Sequence, residues 1–251
     1  MKDKLILTGM VLLAAPAGEY DKRLVILTKE RGRITGFARG ARKQNSPLLA
    51  ACNPFVFGEI EVYEGRDAFT IVRFVVKDFF REIAQEPELS AYGFYLLELV
   101  NYFTKEGLDG SLTMKLLYVS IRALIKEQVA PSLIRIIFEL RLMVIHGIYP
   151  DVFQCKNCGS KEELDYFSKD QSGVLCCNCG KLLKGYQVEE STIYALQYMI
   201  SCKIEQLYLF RVVPKVQKQL EEIVSAMLSS QVDRQFTSIQ LIHLFEQKPS
   251  D

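Results

Sequence analysis

The chain has 251 residues, of which 49% are hydrophobic and 24% are charged. This composition excludes a disordered tail, and the length allows more than one hydrophobic core. The net charge of +1 conceals a basic segment at residues 22–43, whose eight basic residues and one acidic residue give a local charge of +7 and leave −6 for the rest of the chain. The eight basic residues are Lys22, Arg23, Lys29, Arg31, Arg33, Arg39, Arg42 and Lys43.

The first seventeen residues are similar to a secretory signal, because the charged segment 1–4 precedes an apolar stretch and an Ala-Pro-Ala sequence. We expect that this is not a signal. Thr8 and Gly9 interrupt the apolar stretch, and cleavage after Ala17 would remove the first strand of the sheet predicted below. No segment has the ~18 apolar residues that cross a bilayer. We therefore expect a cytoplasmic protein without a membrane partner.

Residues 1–80 contain short segments of alternating polar and apolar residues, separated by turn residues. Residues 40–54 are too polar and too often interrupted to form a strand. Five antiparallel strands with one longer connection predict an OB-type β-barrel, although the pattern leaves its closure open. The predicted strands span residues 5–14, 23–28, 33–39, 55–64 and 69–76.

After residue 86 the apolar residues recur with a helical period, which predicts an α-helical bundle. Pro131 lies at the start of one helix and Gly147 closes it. The fold class is therefore α+β, with a first domain at residues 1–80 and a helical domain at residues 81–251 that carries an inserted ribbon at about 151–185. The predicted helices span residues 89–103, 112–125, 133–148, 189–201, 214–229 and 238–247.

Two CxxC pairs, separated by seventeen residues, are formed by Cys155, Cys158, Cys176 and Cys179. This is the spacing of a four-thiolate zinc site, in which each CxxC turn directs two sulfurs at one ion. Gly159 and Gly180 follow the pairs and are expected to supply a positive φ. A disulfide framework suits small secreted chains instead. We predict one structural zinc ion per chain, because four thiolates leave no open position for catalysis.

The other cysteines and the two histidines are expected to be structural. Cys177 lies between two predicted ligands, but only Cys176 and Cys179 preserve the CxxC spacing. Cys52 and Cys202 are expected to be small core residues. The chain has neither a GxxxxGK[ST] phosphate-binding loop nor a constellation of acidic residues typical of a nuclease. We therefore expect that the protein is not an enzyme.

Residues 21–32 read DKRLVILTKERG and are followed by Gly36, by ARGARK at residues 38–43 and by Ser46. This run resembles the N-terminal signature of the DNA repair protein RecO family. The order of barrel, helices, four-cysteine ribbon and returning helices resembles the same family over nearly the whole chain. The resemblance implies an OB-fold, DNA binding, strand annealing, and association with the nucleoid.

The resemblance also implies partners in the RecFOR recombination pathway. RecR, and in some cases RecF, would act with the protein to help RecA replace single-strand-binding protein on DNA. We hypothesise that RecR binds through the N-terminal barrel and that the acidic C-terminal tail of single-strand-binding protein docks on the helical part.

The basic segment supports DNA binding independently of the resemblance. Its cationic residues fall in turns and strand ends of one small sheet, where they can meet phosphates and bind without reading the sequence. Phe37 lies among them and either stacks a base or faces the barrel core. A solvated surface strip is the other interpretation of these charges. The candidate DNA-binding residues are Arg31, Arg33, Phe37, Arg39, Arg42 and Lys43.

Neutralisation of phosphate charge would lower the repulsion between two complementary strands and leave their base edges free to pair, which would promote annealing without ATP. Two other classes of protein remain open. One is a zinc-ribbon adaptor that binds proteins and not DNA, in which charge reversal in the basic segment would leave partner binding intact. The other is a nuclease, which would need a metal ion besides zinc.

Overall fold

The computed structural model describes residues 4–246. Residues 1–3 of the charged segment 1–4 and Gln247, the end of the last predicted helix, lie outside the described residues. The N-terminal part consists of five strands: β1 (Lys4–Ala17), β2 (Asp21–Thr28), β3 (Gly32–Ala38), β4 (Phe57–Glu64) and β5 (Phe69–Asp78).

The five strands form a closed barrel in the order β1-β2-β3-β5-β4, in which β4 pairs again with β1. All neighbours are antiparallel except β3 and β5, which pair in parallel through residues 36–38 and 69–71. Alternate apolar residues point inward, so that Leu24, Ile26, Ile34 and Ile60 are fully buried in one core. The predicted five-stranded N-terminal sheet is therefore confirmed.

Eight α-helices follow within residues 4–246, and six of them lie where the apolar period predicts, with ends that differ by at most three residues. Pro87, Pro131 and Pro214 each occupy the first turn of a helix, where the missing N–H costs no hydrogen bond. The helices are α1 (Glu82–Gln85), α2 (Pro87–Phe103), α3 (Ser111–Lys126), α4 (Pro131–Ile145), α5 (Cys177–Leu182), α6 (Glu190–Ser201), α7 (Pro214–Ser229) and α8 (Thr237–Glu246).

The ribbon contains a second sheet of three strands, β6 (Leu164–Ser168), β7 (Gly173–Cys176) and β8 (Tyr186–Gln187), in the order β7-β6-β8. The sequence pattern does not predict these strands or helix α5 as individual elements, because each is shorter than the window over which a period can be recognised. The four cysteines described below bring these short elements together.

Contacts divide the chain into two units, residues 1–125 with 236–251 and residues 126–235. The first unit groups α2, α3 and α8 with the barrel, whereas the sequence reading places a boundary at residue 80. That domain boundary stays a prediction. Among residues 4–246, no helix is both long enough and apolar enough to span a membrane.

Candidate metal centre and nucleic-acid interface

The four predicted ligand sulfurs come together in the ribbon. Cys155 and Cys158 lie in the turn before β6, Cys176 ends β7, and Cys179 lies in α5. All four sulfurs lie within 4.8 Å of one another. The Sγ atoms of Cys158 and Cys176 are 3.7 Å apart, close to the ~3.8 Å edge of a tetrahedron with Zn–S distances of ~2.3 Å. The donor set and its spacing therefore fit a tetrahedral metal ion.

Backbone hydrogen bonds shape the turn that carries the first pair. The N–H of Cys155 donates to Ser160 O at 2.6 Å, and the N–H of Gly159 donates to Cys155 O at 2.8 Å. Gly159 has a φ of +76°, the left-handed conformation expected of it. The N–H of Lys156 donates to Val174 O at 2.8 Å, which fixes this turn against β7.

Gly180 serves a different purpose from the one expected. It lies inside α5 and is absent from the glycines of positive φ among the described residues. A Cβ at this position would lie 2.2 Å from Cγ of Tyr166 on β6. The expectation of a positive φ is thus wrong here, and glycine is needed because the ring of Tyr166 packs against the helix backbone.

The pKa values of two thiols in the cluster, those of Cys155 and Cys179, are shifted in opposite directions. Burial disfavours the charged form of Cys155, but backbone N–H groups of three neighbouring residues outweigh burial and lower its pKa to about 6. The Asn157 side chain donates to Cys179 Sγ at 3.2 Å and favours its thiolate. The neighbouring Cys176 side chain and burial outweigh that bond and raise the pKa of Cys179 to about 12. Four thiolates this close need a cation to balance their charge.

The remaining three cysteines are not members of the cluster of four sulfurs. Cys177 is partly buried, and its side chain hydrogen-bonds Lys181 and raises the pKa of that lysine. Cys52 is fully buried in the barrel core, where burial raises the pKa of its thiol to about 11. Cys202 is partly buried beside α6. None of these three belongs to the metal-ligand cluster found within residues 4–246.

The predicted DNA-binding residues do not form one patch. Arg31 and Arg33 lie at the start of β3, whereas Arg39 follows its end, about 20 Å away at ~3.3 Å per residue. The Arg33 guanidinium donates to the backbone O and side-chain Oδ1 of Asn101 on α2, at 2.8 and 3.0 Å. Arg31 lies 3.7 Å from a carboxylate oxygen of Glu64. Both arginines thus have partners within the first unit.

The second group lies on the turn after β3, which we call the basic loop (residues 39–43). Arg39, Arg42 and Lys43 are exposed, and Ala41 between them is fully buried. Among the described residues, the Arg39 guanidinium has no hydrogen-bond or ion-pair partner. The Lys43 ammonium lies 5.5 Å from the centre of the Tyr20 ring. The loop therefore presents three cations on one side and an apolar anchor on the other.

Phe37 faces outward. Its side chain is 38% exposed, whereas Gly36 and Ala38 on either side are buried. The interpretation that Phe37 faces the barrel core is therefore wrong. Phe37 lies opposite the exposed Arg23 on β2 and Thr70 on β5. Arg23 is not among the predicted site residues, although alternation along β2 and β3 places it on the same face as Phe37 once the register is known.

A separate apolar groove lies in the second unit, along α6 and the segment that leads into α7. It has a volume of about 390 Å³ and contains one cation, Arg211, whose guanidinium also donates to Gln128 O at 3.2 Å. The sequence reading placed no site here, because the groove is assembled from residues on both sides of a chain reversal. Its main apolar side chains are Tyr194, Tyr198, Phe210, Val213 and Val216.

Comparison with known proteins agrees with this architecture. Residues 1–80 match the N-terminal domain of Recombination protein O, and residues 84–239 match its C-terminal domain. The chain is 29% identical to the DNA repair protein RecO of Alkaliphilus metalliredigens over 93% of this chain and 96% of that protein. It is 28% identical to the RecO of Acetivibrio thermocellus over 94% of each chain.

A third relative is closer in identity over a shorter alignment. The chain is 33% identical to the DNA repair protein RecO of Bacillus pumilus over 68% of this chain and 66% of that protein. The two domain matches together cover nearly all of the sequence, in the order in which barrel, helices and ribbon occur. The chain belongs to the RecO family of DNA repair proteins.

Proposed function

We propose that the protein is a recombination mediator that binds single- and double-stranded DNA through an OB-type N-terminal barrel and is not an enzyme. The observation that carries this proposal is the basic loop, in which Arg39, Arg42 and Lys43 are exposed beside the outward-facing Phe37. Cations of this kind bind phosphates without reading the bases, and an exposed ring can stack any base. Arg31 and Arg33 would contribute at the far end of β3.

Such binding supports strand annealing without ATP. A protein that neutralises phosphates on two complementary strands lowers their repulsion and leaves their Watson–Crick edges free. In the cell, the protein would act with RecR, and with RecF in some cases, to help RecA load on DNA covered by single-strand-binding protein. It would then be a nucleoid-associated protein of the cytoplasm.

We propose that the metal ion is zinc and that its role is structural. Four cysteine sulfurs leave no ligand position for water, and soft thiolates select zinc among the common divalent ions. The residues that would hold it are Cys155, Cys158, Cys176 and Cys179. A bound ion would join the turn before β6, β7 and α5, which otherwise share a small apolar cluster.

The two protein partners are assigned to different parts of the chain. RecR would bind the barrel, and loss of RecR co-elution after damage to the second unit alone would contradict this. The acidic tail of single-strand-binding protein would bind the groove along α6, where Arg211 can meet a carboxylate and Tyr194 and Phe210 offer apolar contact. Unchanged binding of a tail peptide to an Arg211→Glu protein would rule out that groove.

The decisive experiment is fluorescence anisotropy of a labelled mixed-sequence single strand at several salt concentrations. Four or five phosphate contacts predict a slope of log affinity against log salt of about −3, and removal of three contacts should reduce that slope by about 2. The test variant is Arg39→Ala/Arg42→Ala/Lys43→Ala. The matched control removes three exposed cations elsewhere, Arg66, Lys161 and Lys218.

We expect DNA binding to weaken at least tenfold in the test variant and to change little in the control. Equal losses would indicate a non-specific effect of net charge. Tight binding unaffected by the test variant would move the DNA site away from the basic loop. If the wild-type protein fails to bind DNA at all, the zinc-ribbon adaptor becomes the better explanation.

A further inference from the structure

The basic loop is fastened to the turn between β1 and β2. The Asp21 carboxylate accepts a hydrogen bond from the Gly40 N–H at 2.7 Å, and Tyr20 O accepts one from the Arg42 N–H at 2.8 Å. The Arg42 guanidinium donates to Gly18 O at 3.3 Å. Gly18, Tyr20 and Asp21 therefore hold the loop through two of its backbone N–H groups and one of its side chains.

The loop's own conformation depends on this attachment. Gly40 has a φ of +65°, and the Lys43 N–H donates to Gly40 O at 3.0 Å, which closes a tight turn. Ala41 is buried in the barrel core, so that apolar packing holds the loop in addition to its hydrogen bonds with the turn between β1 and β2. Lys43 then lies over the Tyr20 ring. The backbone that carries the three cations is therefore held by contacts within the protein and does not need a ligand to order it.

If only charge is considered, a carboxylate beside a cationic loop weakens phosphate binding. Asp21 adds a negative charge next to the loop whose cations would meet DNA, and its long-range effect on a phosphate is repulsive. Its short hydrogen bond to the Gly40 N–H has the opposite consequence, because it orders the loop and reduces the entropy lost when the loop binds. These two effects predict opposite results when Asp21 is removed.

We propose that Asp21 is a positioning residue that holds the basic loop in a phosphate-binding conformation, so that Arg39, Arg42 and Lys43 engage successive phosphates of one strand together. This inference rests on the proposed DNA-binding function. The ligand is the sugar–phosphate backbone of a nucleic acid strand, and Asp21 itself makes no contact with it.

The test compares Asp21→Ala with Asp21→Asn. Alanine removes the acceptor, whereas asparagine keeps an oxygen for the Gly40 N–H and removes only the charge. Measured by anisotropy with a labelled single strand at fixed salt, Asp21→Ala should bind about five- to tenfold more weakly, the loss expected from one hydrogen bond that orders the loop. Asp21→Asn should bind as well as wild type or more tightly.

The salt slope gives a readout that a change in fold stability would not produce. Asp21→Ala should show a smaller slope, since fewer cations engage phosphates together, while thermal melting shows both variants folded at the assay temperature. If Asp21→Ala does not fold, Gly40→Ala serves as a second variant. It strains the loop at positive φ without changing any charge, and the proposal predicts the same weaker binding and smaller slope.

Binding by Asp21→Ala that equals or exceeds wild type would overturn the inference, because charge removal alone would then explain the result. That outcome leaves the proposed function standing if Arg39→Ala/Arg42→Ala/Lys43→Ala still loses DNA binding. If the triple variant binds normally, the proposed DNA site fails first, and Asp21 has no loop function to support.

Discussion

Residue type alone indicates the role of some side chains, whereas the role of others depends on their neighbours in the fold. The four clustered cysteines offer one set of sulfur donors that could hold a metal ion, whereas Cys177 is outside this set and its side chain hydrogen-bonds Lys181 instead. For Phe37 and Arg33, residue type is not enough, because the residues around each side chain determine whether it can contact a ligand. Phe37 is free to meet a ligand, and Arg33 is engaged by Asn101.

Removal of one metal ligand should release the ion and destabilise the ribbon. We expect Cys155→Ala and Cys176→Ala to lose the one equivalent of zinc per chain, measured by elemental analysis, and to give less soluble protein. Structural zinc contributes ~10 kcal/mol in small metal domains, and a smaller loss is expected here because the helices have their own core. Cys177→Ala is the control and should keep its zinc. Full stability of a metal-free protein would contradict a structural role.

Phe37 tests stacking separately from charge. Base–aromatic stacking is worth about 1–3 kcal/mol per base, so Phe37→Ala should weaken single-strand binding roughly five- to 150-fold while leaving the salt slope unchanged. Phe37→Tyr keeps a ring and should bind nearly as wild type. Anisotropy titrations at two salt concentrations measure both quantities. A reduced slope in Phe37→Ala would show that the ring acts through the loop cations instead.

The secondary-structure elements of each unit are joined by a few polar contacts that the apolar pattern does not reveal. In the second unit, the Arg141 guanidinium on α4 donates to the carbonyls of Met199, Ile200 and Cys202 at the end of α6. These carbonyls belong to the unsatisfied C-terminal turn of the helix, where a positive charge is also favourable. In the first unit, Arg122 on α3 pairs with Asp78 at the end of β5.

Loss of the Arg141 contact should destabilise the second unit. Arg141→Met leaves three carbonyls without their donor, and we expect the free energy of unfolding to fall by about 2 kcal/mol. Urea denaturation of the full chain, followed by circular dichroism, measures this change. Arg211→Met is a suitable control because Arg211 is exposed, and it should change stability by less than about 0.5 kcal/mol. Equal stabilities of the two variants would contradict the capping role.

The whole molecule combines a barrel of non-local strand pairs with helices and a small insertion that carries four clustered cysteines. Its near-zero net charge coexists with a local charge of +7 in residues 22–43. This separation leaves a net charge of −6 on the rest of the chain and predicts that DNA binds at the basic segment. It also predicts that DNA binding and annealing depend on the basic loop and on salt, and not on a nucleotide cofactor.

Annealing of two complementary oligonucleotides provides the test. We expect the protein to accelerate annealing equally with and without ATP, and the rate to fall at least tenfold in Arg39→Ala/Arg42→Ala/Lys43→Ala. The rate should also fall as salt rises, because the strand contacts release counterions. Fluorescence quenching on duplex formation follows the reaction. An absolute requirement for ATP would contradict charge neutralisation as the mechanism.

Local patterns in the sequence are enough to find most of the elements and the four candidate metal ligands. Alternation located the five strands, the helical period located six helices, and the paired CxxC spacing selected four sulfurs that lie together. Each of these signals is local, because a strand, a helix or a CxxC turn shows its pattern within about twenty residues. Residue type also identified the basic segment as a surface of unusual charge.

Which of those charges are exposed and unpaired depends instead on the three-dimensional fold. In the fold, the predicted DNA-binding residues lie at the two ends of β3, and Arg33 donates to Asn101. Phe37 faces outward, and the Asp21 carboxylate accepts a hydrogen bond from the basic loop. Gly180 packs closely against Tyr166. These outcomes depend on register and on contacts between distant segments. A shift of one residue in strand pairing would reverse which side chains face solvent, and no local pattern encodes that choice.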